Sequence, residues 1–307
     1  MQSLYNALLK LGINNFVIVD VGAKGQIETI NGVESISEIH AFEPNPIEFA
    51  LLENNYAKHA YNKLQLNCVG LAASIGKSSF MISNNTAMSS LLKPDLKNYK
   101  KHFGNYKAYQ YWENCIETAE EIEITLDTLD HYFRANKPID YIKIDTQGAE
   151  LAILKGAEKL LQQGLIKVLK VEVATVATYE HQPLFSDIDI YLRQYNYILV
   201  DFLTYRENPS YLLGEDQEIH FAPSGDAIYC YAPNSVSAIE NIKKGIIINQ
   251  LGYVSLALHI LESTSLSKTE ISDLILKSKN KRHKKWKKIA KDILPPVLIK
   301  LLKKSKF

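Results

Sequence analysis

The fold is decided by a ten-residue stretch near the start of the chain, Phe16-Val17-Ile18-Val19-Asp20-Val21-Gly22-Ala23-Lys24-Gly25. Its first half is short, apolar and rich in β-branched residues, which is typical of a buried strand in a parallel sheet. Its second half has the spacing of the dinucleotide fingerprint G-x-G-x-x-G, with Asp20 at the first glycine position. We therefore predict that a strand ends at Asp20 and that the glycine turn after it opens a helix.

The acid at position 20 separates two classes of ligand. A carboxylate would lie beside the pyrophosphate of a dinucleotide, and two negative charges in a partly buried site repel each other. This counts against a nicotinamide-dependent oxidoreductase. S-adenosylmethionine has no phosphate and carries an ammonium and a sulfonium, so an acid suits it. Glu43, 23 residues further on at the end of the next predicted strand, is placed to accept hydrogen bonds from a ribose diol.

The rest of the first 235 residues alternates predicted strands with predicted helices. Helices begin after Pro44, at Glu150 and at Ile188, and strands are predicted over residues 38–43, 64–71, 78–83, 140–145, 168–173, 197–202 and 227–231. This alternation predicts a mostly parallel sheet covered by helices on both faces. Ligands of such sheets bind outside the carboxyl ends of the strands, so the acids there are candidate functional residues: Asp20, Glu43, Asp145 and Glu172.

Two segments do not fit the alternation. Residues 84–121 are polar and aromatic, and a connection of this length predicts a lid or an acceptor-binding insert. Its aromatic side chains could stack on pyranose rings, and an equally weighted alternative is a packing element that caps the sheet. Residues 236–276 carry an apolar face at helical spacing, which predicts a small helical appendage. The domain prediction is therefore a core of residues 1–235, this appendage, and a tail of residues 277–307.

Charge divides the chain into an acidic body and a basic tail. Residues 277–307 contain 13 Lys and Arg and one acid, a net charge of +12, which leaves −11 for the remainder. One helical face of this tail carries Trp286, Ile289, Ala290 and Ile293. A basic helix with such a face predicts binding to an anionic membrane surface, and a solvated tail that improves solubility is the alternative. Nucleic acid is not an expected partner, because the acidic body would repel its phosphates.

Six short segments carry a resemblance to a known family. They are, in chain order, Val19–Ala23, Phe42–Pro46, Ser89–Leu92, Ile139–Glu150, Val171–Asp187 and Gly225–Ala227. Together they resemble the FkbM family of S-adenosylmethionine-dependent methyltransferases, over about residues 12–232. The most specific part is the Ile-Lys-Ile-Asp-x-x-Gly-Ala-Glu run that ends at Glu150. In the family the residue before that glycine is usually an acid, whereas this chain has Gln147.

The resemblance implies a fold and an activity. The implied fold is that of class I methyltransferases, a Rossmann-like three-layer α/β sandwich with a mostly parallel sheet. The implied activity is O-methyl transfer, often onto a sugar or a polyketide-derived hydroxyl. Members of the family are frequent among enzymes that decorate bacterial surface polysaccharides. The helical appendage and the basic tail lie outside the part that resembles the family.

The residues and the resemblance together assign roles to two groups of candidates. The cofactor-binding candidates are Asp20, Gly22, Ala23, Gly25, Glu43, Pro44, Asp145 and Gly148. A sugar hydroxyl needs a general base at neutral pH, and the catalytic candidates at or beyond strand ends are Asp145, Glu172 and His220. These three could also hold Mg or Mn, although no ligand spacing supports a metal. Glu150 opens a predicted helix, where a carboxylate also stabilises the N-terminus.

These observations predict an S-adenosylmethionine-dependent O-methyltransferase that acts on a saccharide or glycolipid precursor of a bacterial surface polysaccharide. We expect a cytoplasmic protein at the inner face of the membrane, since the sequence shows no signal peptide and its three cysteines are scattered. The alternative from another class is a non-catalytic binding or scaffold protein with the same fold. Such a protein would dock through its tail to a membrane glycan-assembly complex.

Overall fold

The computed structural model describes residues 2–103, 113–205, 224–232 and 237–278, and within them the main sheet has seven strands. These are β1 (Phe16–Val21), β2 (Ser37–Phe42), β3 (Lys63–Asn67), β7 (Ile139–Ile144), β8 (Ile166–Ala174), β9 (Tyr197–Tyr205) and β10 (Ser224–Tyr231). They lie in the order β3-β2-β1-β7-β8-β10-β9. The pairs β2–β3, β1–β7 and β7–β8 are parallel, whereas β10 is antiparallel to both of its neighbours. The prediction of a mostly parallel sheet in an α/β fold is confirmed.

Helices accompany the strands in the described residues. They are α1 (Gln2–Lys10), α2 (Pro46–Tyr56), α3 (Leu96–Phe103), α4 (Leu129–Tyr132), α5 (Glu150–Lys155), α6 (Glu158–Gln162), α7 (Phe185–Arg193), α8 (Ala238–Gln250), α9 (Val254–Glu262) and α10 (Lys268–Lys277). Within the described ranges, none of them combines the length and the hydropathy that crossing a bilayer requires.

The main core lies between the sheet and helices α5, α6 and α7. Val19 of β1, Ile142 of β7 and Leu169 of β8 are buried in it together with Ile153 of α5 and Ile188 of α7. Because successive residues of a strand point to opposite faces, burying this face fixes the register of every strand. The register in turn decides which residues stand at the carboxyl ends of the strands.

A second, three-stranded sheet was not expected. It consists of β4 (Gly70–Leu71), β5 (Gly76–Ser83) and β6 (Thr118–Asp127), in the order β4-β6-β5. The single strand predicted over residues 64–71 is therefore wrong, because β3 ends at Asn67 and the chain then enters the second sheet. Strand β6 begins inside the segment predicted as an insert. Its first half is acidic and exposed, and only Ile124 and Leu126 are buried, so its alternating pattern is too short to predict a strand.

The glycine turn after β1 does not open a helix, contrary to the prediction. Gly22 and Gly25 have left-handed φ angles of 81° and 70°, and residues 22–33 contain no helix. Glu28 fastens the end of this turn instead. Its carboxylate accepts hydrogen bonds from the Tyr141 hydroxyl at 2.5 Å and from Lys170 Nζ at 3.2 Å. The side-chain contacts of Glu28 with β7 and β8 therefore fix this turn, whereas the sequence predicted that the turn would continue into a helix.

The contacts within the chain define two units. One comprises residues 17–28 and 38–233, with most of the main sheet, the second sheet and helices α2 to α7. The other comprises residues 1–16, 29–37 and 234–307, with helices α1 and α8 to α10. Helices α8 to α10 correspond to the predicted helical appendage. Residues 279–307, which hold most of the predicted basic tail, lie outside the described residues.

Candidate active site

The loops after β1 and β7 meet at the carboxyl edge of the main sheet. Asp145 donates its backbone N–H to Val21 O at 3.1 Å. A Cβ on Gly22 would lie 2.0 Å from Asp145 O, so only glycine fits at this position. The backbone N–H groups of Gly22 and Ala23 donate to Phe42 O at the end of β2, at 3.0 and 3.1 Å. The structure thus brings the ends of three strands, β1, β2 and β7, to one place.

Asp20 lies at this edge with its side chain fully buried, at 0% exposure. Its Oδ2 accepts the Glu28 N–H at 2.7 Å. Its Oδ1 lies 3.5 Å from Lys143 Nζ and accepts no hydrogen bond from the described residues. Burial raises the pKa of Asp20 to about 6, although Lys143 and the Glu28 N–H act to lower it. Asp20 is therefore largely ionised at neutral pH and holds one oxygen that a cationic ligand group can use.

A buried lysine that the sequence did not mark as functional, Lys143, joins the two loops. Its Nζ lies 3.5 Å from Asp20 Oδ1 and 3.4 Å from Asp145 Oδ2, and it donates to Gly22 O at 3.3 Å. Burial acts to lower the pKa of Lys143, but Asp20, Asp145 and Glu28 raise it above its ordinary value. Lys143 therefore stays charged and fixes both carboxylates. The available signal was a lysine flanked by isoleucines in a buried strand.

The end of β2 contributes Glu43 and, beyond the prediction, Asn45. Glu43 is 6% exposed, and its Oε1 accepts the Asn45 N–H at 2.9 Å. Burial raises the pKa of Glu43 to about 7. Asn45 Oδ1 caps α2 by accepting the Ile47 N–H at 3.0 Å, whereas its buried Nδ2 has no hydrogen-bond partner among the described residues. The sequence signal for Asn45 was an N-cap residue between Pro44 and Pro46.

Two buried side-chain atoms among the described residues lack a hydrogen-bond partner, Asp20 Oδ1 and Asn45 Nδ2, and both belong to this site. A buried polar atom without a partner is costly, so each is expected to meet a ligand atom. The carboxylate oxygen can accept from an ammonium, and the amide can donate to a ribose or adenine acceptor. With Glu43 beside them, these residues fit S-adenosylmethionine. Of the other cofactor candidates, Pro44 is half-buried and Gly25 has open space around it.

Beyond Lys143 lie Asp145 and Glu172, here called the carboxyl pair, which are joined by the side chain of Gln147. Gln147 Nε2 donates to Asp145 Oδ1 at 3.1 Å and to Glu172 Oε2 at 2.7 Å. The structure therefore brings two of the three predicted catalytic residues together. The side chain of Asp145 is 33% exposed, so it can contact a second substrate.

Burial and neighbouring charges shift the pKa values of the carboxyl pair in opposite directions. Burial raises the pKa of Glu172 well above its ordinary value, and the nearby Asp145 and Glu150 raise it further. Burial also acts to raise the pKa of Asp145, but Lys143 and the hydrogen bonds from Glu172 and Gln147 keep it below its ordinary value. Of the two, Glu172 is therefore the carboxyl group that binds a proton more readily, and Asp145 is the one that ionises more readily.

Glu150 has the structural role that the sequence indicated for it, which is to stabilise the N-terminus of a helix. Its carboxylate accepts hydrogen bonds from the Thr146 N–H at 2.8 Å, from Thr146 Oγ1 at 3.1 Å and from the Gly148 N–H at 2.9 Å. These bonds close the loop between β7 and α5 at the N-terminus of the helix. Gly148, a cofactor candidate, has a φ of 107° in this loop, and a Cβ there would lie 3.0 Å from Leu92 Cδ1.

The other predicted site elements are not part of this group. His220 lies outside the described residues, so its catalytic role stays a prediction. In the predicted insert, Tyr99 is buried against Ile116, which favours a packing role for that residue, and residues 104–112 lie outside the described ranges. In the parts of the chain that the structure describes, no group of three or more His, Cys, Asp or Glu side chains could hold a metal ion.

Known proteins resemble this chain in fold and in sequence. Solved structures with similar folds include the magnesium protoporphyrin IX methyltransferase ChlM from Synechocystis PCC 6803 with bound SAM, at 8% identity and a TM-score of 0.37, covering 75% of this chain and 77% of that one. Another is M. jannaschii TYW2 in complex with AdoMet, at 14% identity and a TM-score of 0.31, covering 76% and 78%.

The sequence comparisons are more specific. Methyltransferase sdnD of Sordaria araneosa is 29% identical over an alignment of length 160 that covers 48% of this chain and 62% of that protein, so the match spans about three fifths of the relative's length. The model of the methyltransferase FkbM domain family matches residues 20–199, more than half of the chain. This range contains every described candidate residue of the site. The chain therefore belongs to the methyltransferase FkbM domain family.

Proposed function

We propose that this protein is an S-adenosylmethionine-dependent O-methyltransferase that methylates a hydroxyl of a saccharide or glycolipid precursor in bacterial surface polysaccharide biosynthesis. The observation that carries the proposal is the partly exposed Asp145, which lies 3.4 Å from Lys143 Nζ and shares the amide of Gln147 with Glu172. A hydroxyl is a weak nucleophile at neutral pH, and a positioned base of this kind is what methyl transfer to it needs.

The cofactor side of the site, formed by Asp20, Glu43 and Asn45, binds and orients the cofactor. When bound, S-adenosylmethionine supplies a methyl group that its sulfonium has already activated. We assign Asp20 Oδ1 to the positive charge of the ligand, Glu43 to the ribose diol and Asn45 Nδ2 to a ribose or adenine acceptor. Because Asp20 and Glu43 are buried, water screens their interactions with a ligand only weakly.

The acceptor side of the site, which contains Asp145, Gln147 and Glu172, removes a proton from the acceptor hydroxyl. Asp145 takes the proton of the acceptor hydroxyl, and Lys143 at 3.4 Å keeps Asp145 ionised until the proton arrives. Gln147 fixes Asp145 Oδ1 through the hydrogen bond at 3.1 Å. The proton then leaves Asp145 to water through the exposed part of its side chain.

The charges at this edge favour a neutral acceptor. Among the described residues, this edge carries more acids than lysines. The lysines are Lys143 and Lys170, and the acids near them or near the carboxyl pair include Asp20, Glu28, Glu150 and Asp226. A phosphate or carboxylate next to the reacting atom would be repelled by this excess of negative charge. A sugar hydroxyl carries no charge and meets no such barrier, which supports a saccharide acceptor.

We expect the affinity for S-adenosylmethionine to rise with pH through the window in which Asp20 and Glu43, with pKa values of about 6 and about 7, become ionised. The positive charge and the diol hydrogens of the ligand favour the ionised carboxylates. Above this window, Asp20→Asn and Glu43→Gln should each weaken binding about tenfold to a hundredfold, the value of a hydrogen bond to a charged group. Calorimetric titration of the cofactor at several pH values measures both effects.

Glu123→Gln is the matched control for this experiment. Glu123 is an exposed acid that pairs with Lys77 on the surface of the second sheet, so the variant should bind the cofactor as the parent does at each pH. A flat pH profile, or parental affinity in both site variants, would contradict the assignment of the two acids. A parent protein that binds neither the cofactor nor its demethylated product would favour the scaffold alternative.

We also propose that the basic tail binds an anionic membrane surface and brings the enzyme to a glycolipid acceptor at the cytoplasmic face. The support is the net charge of +12 in residues 277–307 and the apolar face around Trp286. Ser278 is buried and accepts a hydrogen bond from Asn249 Nδ2 at 2.8 Å, so a deletion should begin at residue 279. Deleting residues 279–307 should abolish sedimentation with anionic vesicles and leave the cofactor affinity unchanged.

Two controls accompany the deletion. Vesicles without anionic lipid should not sediment the full-length protein, and added salt should weaken binding to anionic vesicles, because charges are screened within ~8 Å at physiological ionic strength. Binding that persists at high salt would report insertion of the apolar face around Trp286. Equal sedimentation of the full-length and shortened proteins would show that the tail is not the membrane anchor.

A further inference from the structure

We propose that Gln147 is the positioning residue of the acceptor side, and that its amide keeps a divalent cation out of the carboxyl pair. The proposal rests on the function proposed above in one respect, which is that the acceptor binds at this edge of the main sheet. According to this proposal, the residue at position 147 determines whether the carboxyl pair is joined by an amide or forms part of a cluster that binds a metal ion.

The amide group of Gln147 can be oriented from its contacts. Its Nε2 lies 3.1 Å from Asp145 Oδ1 and 2.7 Å from Glu172 Oε2, and a primary amide has two N–H bonds to give. The opposite orientation would place the amide oxygen 3.1 and 2.7 Å from oxygen atoms of the two carboxyl groups, and would leave the amide N–H bonds facing away from them. The oxygen Oε1 instead faces the Tyr179 hydroxyl at 3.4 Å. Both N–H bonds are therefore used by the carboxyl pair.

The backbone at Gln147 supports a functional reason for this side chain. Its φ of 58° lies in the left-handed region, which is unfavourable for a residue with a side chain. The neighbouring chain holds this conformation, since Ser90 Oγ donates to Gln147 O at 2.6 Å. Glycine would adopt the same conformation without strain, but it would leave the carboxyl pair unbridged.

An amide at this position and a carboxylate have opposite effects on metal binding. The two N–H bonds occupy one oxygen of Asp145 and one of Glu172, and an amide nitrogen is not a ligand for Mg or Mn. A carboxylate of the same length at position 147 would instead place three carboxyl groups within hydrogen-bonding distance of one another. Oxygen atoms in that arrangement are what a hard divalent cation binds.

Charged groups on the surrounding elements do not change this conclusion. The groups that face the carboxyl pair are Lys143 on β7, Glu150 at the start of α5, Tyr179 in the loop after β8, and Asp226 on β10. Lys143 is the one cation among these four, and it already contacts Asp20 and Asp145. A third carboxylate would therefore create negative charge that Lys143 alone does not neutralise, and a bound cation would.

The test compares Mn²⁺ binding by the parent, Gln147→Glu and Gln162→Glu. Gln162→Glu is the matched control, because it makes the same chemical change at an exposed position on α6. Gln147→Glu should bind Mn²⁺ at least about tenfold more tightly than the parent, and MnCl₂ should raise its unfolding midpoint. The control should behave as the parent. Adding Glu172→Gln to Gln147→Glu should remove the gain, because the site loses one of its three carboxylates.

The outcomes are separable from those of the proposed function. Mn²⁺ binding by the parent as tight as by Gln147→Glu, or a gain that survives Glu172→Gln, would overturn the inference. So would a folded Gln147→Glu that gains no Mn²⁺ binding, and if this variant does not fold, Gln147→Asp carries the same charge and takes its place. Calorimetry with S-adenosylmethionine should give the same affinity for the parent and the Gln162→Glu control. A parent that does not bind the cofactor would contradict the proposed function and leave the Mn²⁺ comparison intact.

Discussion

Asp145→Asn is expected to lower the rate of methyl transfer about 100- to 10,000-fold, which is the contribution of a well-placed general base. Asparagine has the shape of aspartate and can still accept the hydrogen bond from Gln147, but it cannot take a proton from a hydroxyl. Its amide nitrogen or oxygen would also face Lys143 without a charge to offer. The measurement is the transfer of labelled methyl from S-adenosylmethionine to the lipid-linked saccharides of a bacterial membrane extract.

Two further measurements separate loss of the base from loss of the fold. Asp273→Asn changes a partly exposed acid on α10 in the same way, and it should retain the parental rate. The cofactor affinity of Asp145→Asn should fall much less than its rate, because Asp20, Glu43 and Asn45 remain in place. A rate equal to that of the parent would show that Asp145 is not the base and would direct attention to Glu172 and His220.

The main sheet could be predicted because its signals are local. The stretches 16–20 and 140–145 are short and have β-branched residues at their centres, which marks a strand without knowledge of its neighbours. The acids at their ends could be assigned to a site because parallel strands end at one edge. Asp20, Glu43, Asp145 and Glu172 were found in this way, before any contact between them was known.

The partners of these acids could not be predicted, because they depend on contacts between distant parts of the chain. Lys143 and Gly22 are 121 residues apart, and the signal of Lys143 in the sequence is a single charge in an apolar strand. Gln147 differs from the acid that the resemblance leads one to expect, but its two hydrogen bonds follow from the pairing of β7 with β8. Local patterns therefore indicated the place of the site and not its electrostatics.

The helix predicted after the glycine turn fails for a related reason. The fingerprint spacing at Asp20, Gly22 and Gly25 is local, but the conformation of the chain after the turn is decided by Glu28 and its contacts with Tyr141 and Lys170. Tyr141 lies 113 residues further along the chain. A pattern of glycines shows where the backbone turns, and it does not show which element holds the turn in place.

Gly22→Ala is expected to reduce the free energy of unfolding by about 3 kcal/mol or more and to abolish cofactor binding. Its φ of 81° is unfavourable for alanine, and the added Cβ would lie 2.0 Å from Asp145 O, far inside the contact distance of two atoms. Relief requires the loops after β1 and β7 to separate. That movement would displace Asp20 and Asp145 from Lys143, which contacts both. Urea unfolding and calorimetric titration of S-adenosylmethionine measure the two effects.

Gly25→Ala isolates the cause of this loss. Gly25 lies in the same turn with a φ of 70°, but no atom lies within 4 Å of the position of its Cβ. The substitution therefore carries the cost of the left-handed conformation alone, about 1 kcal/mol, and should leave most of the cofactor affinity in place. The difference between the two variants in free energy of unfolding and in cofactor affinity measures the effect of the close approach of the loops after β1 and β7. If both variants lose the same stability and affinity, that approach contributes nothing, and Gly22 is not the residue that joins the cofactor side to the acceptor side.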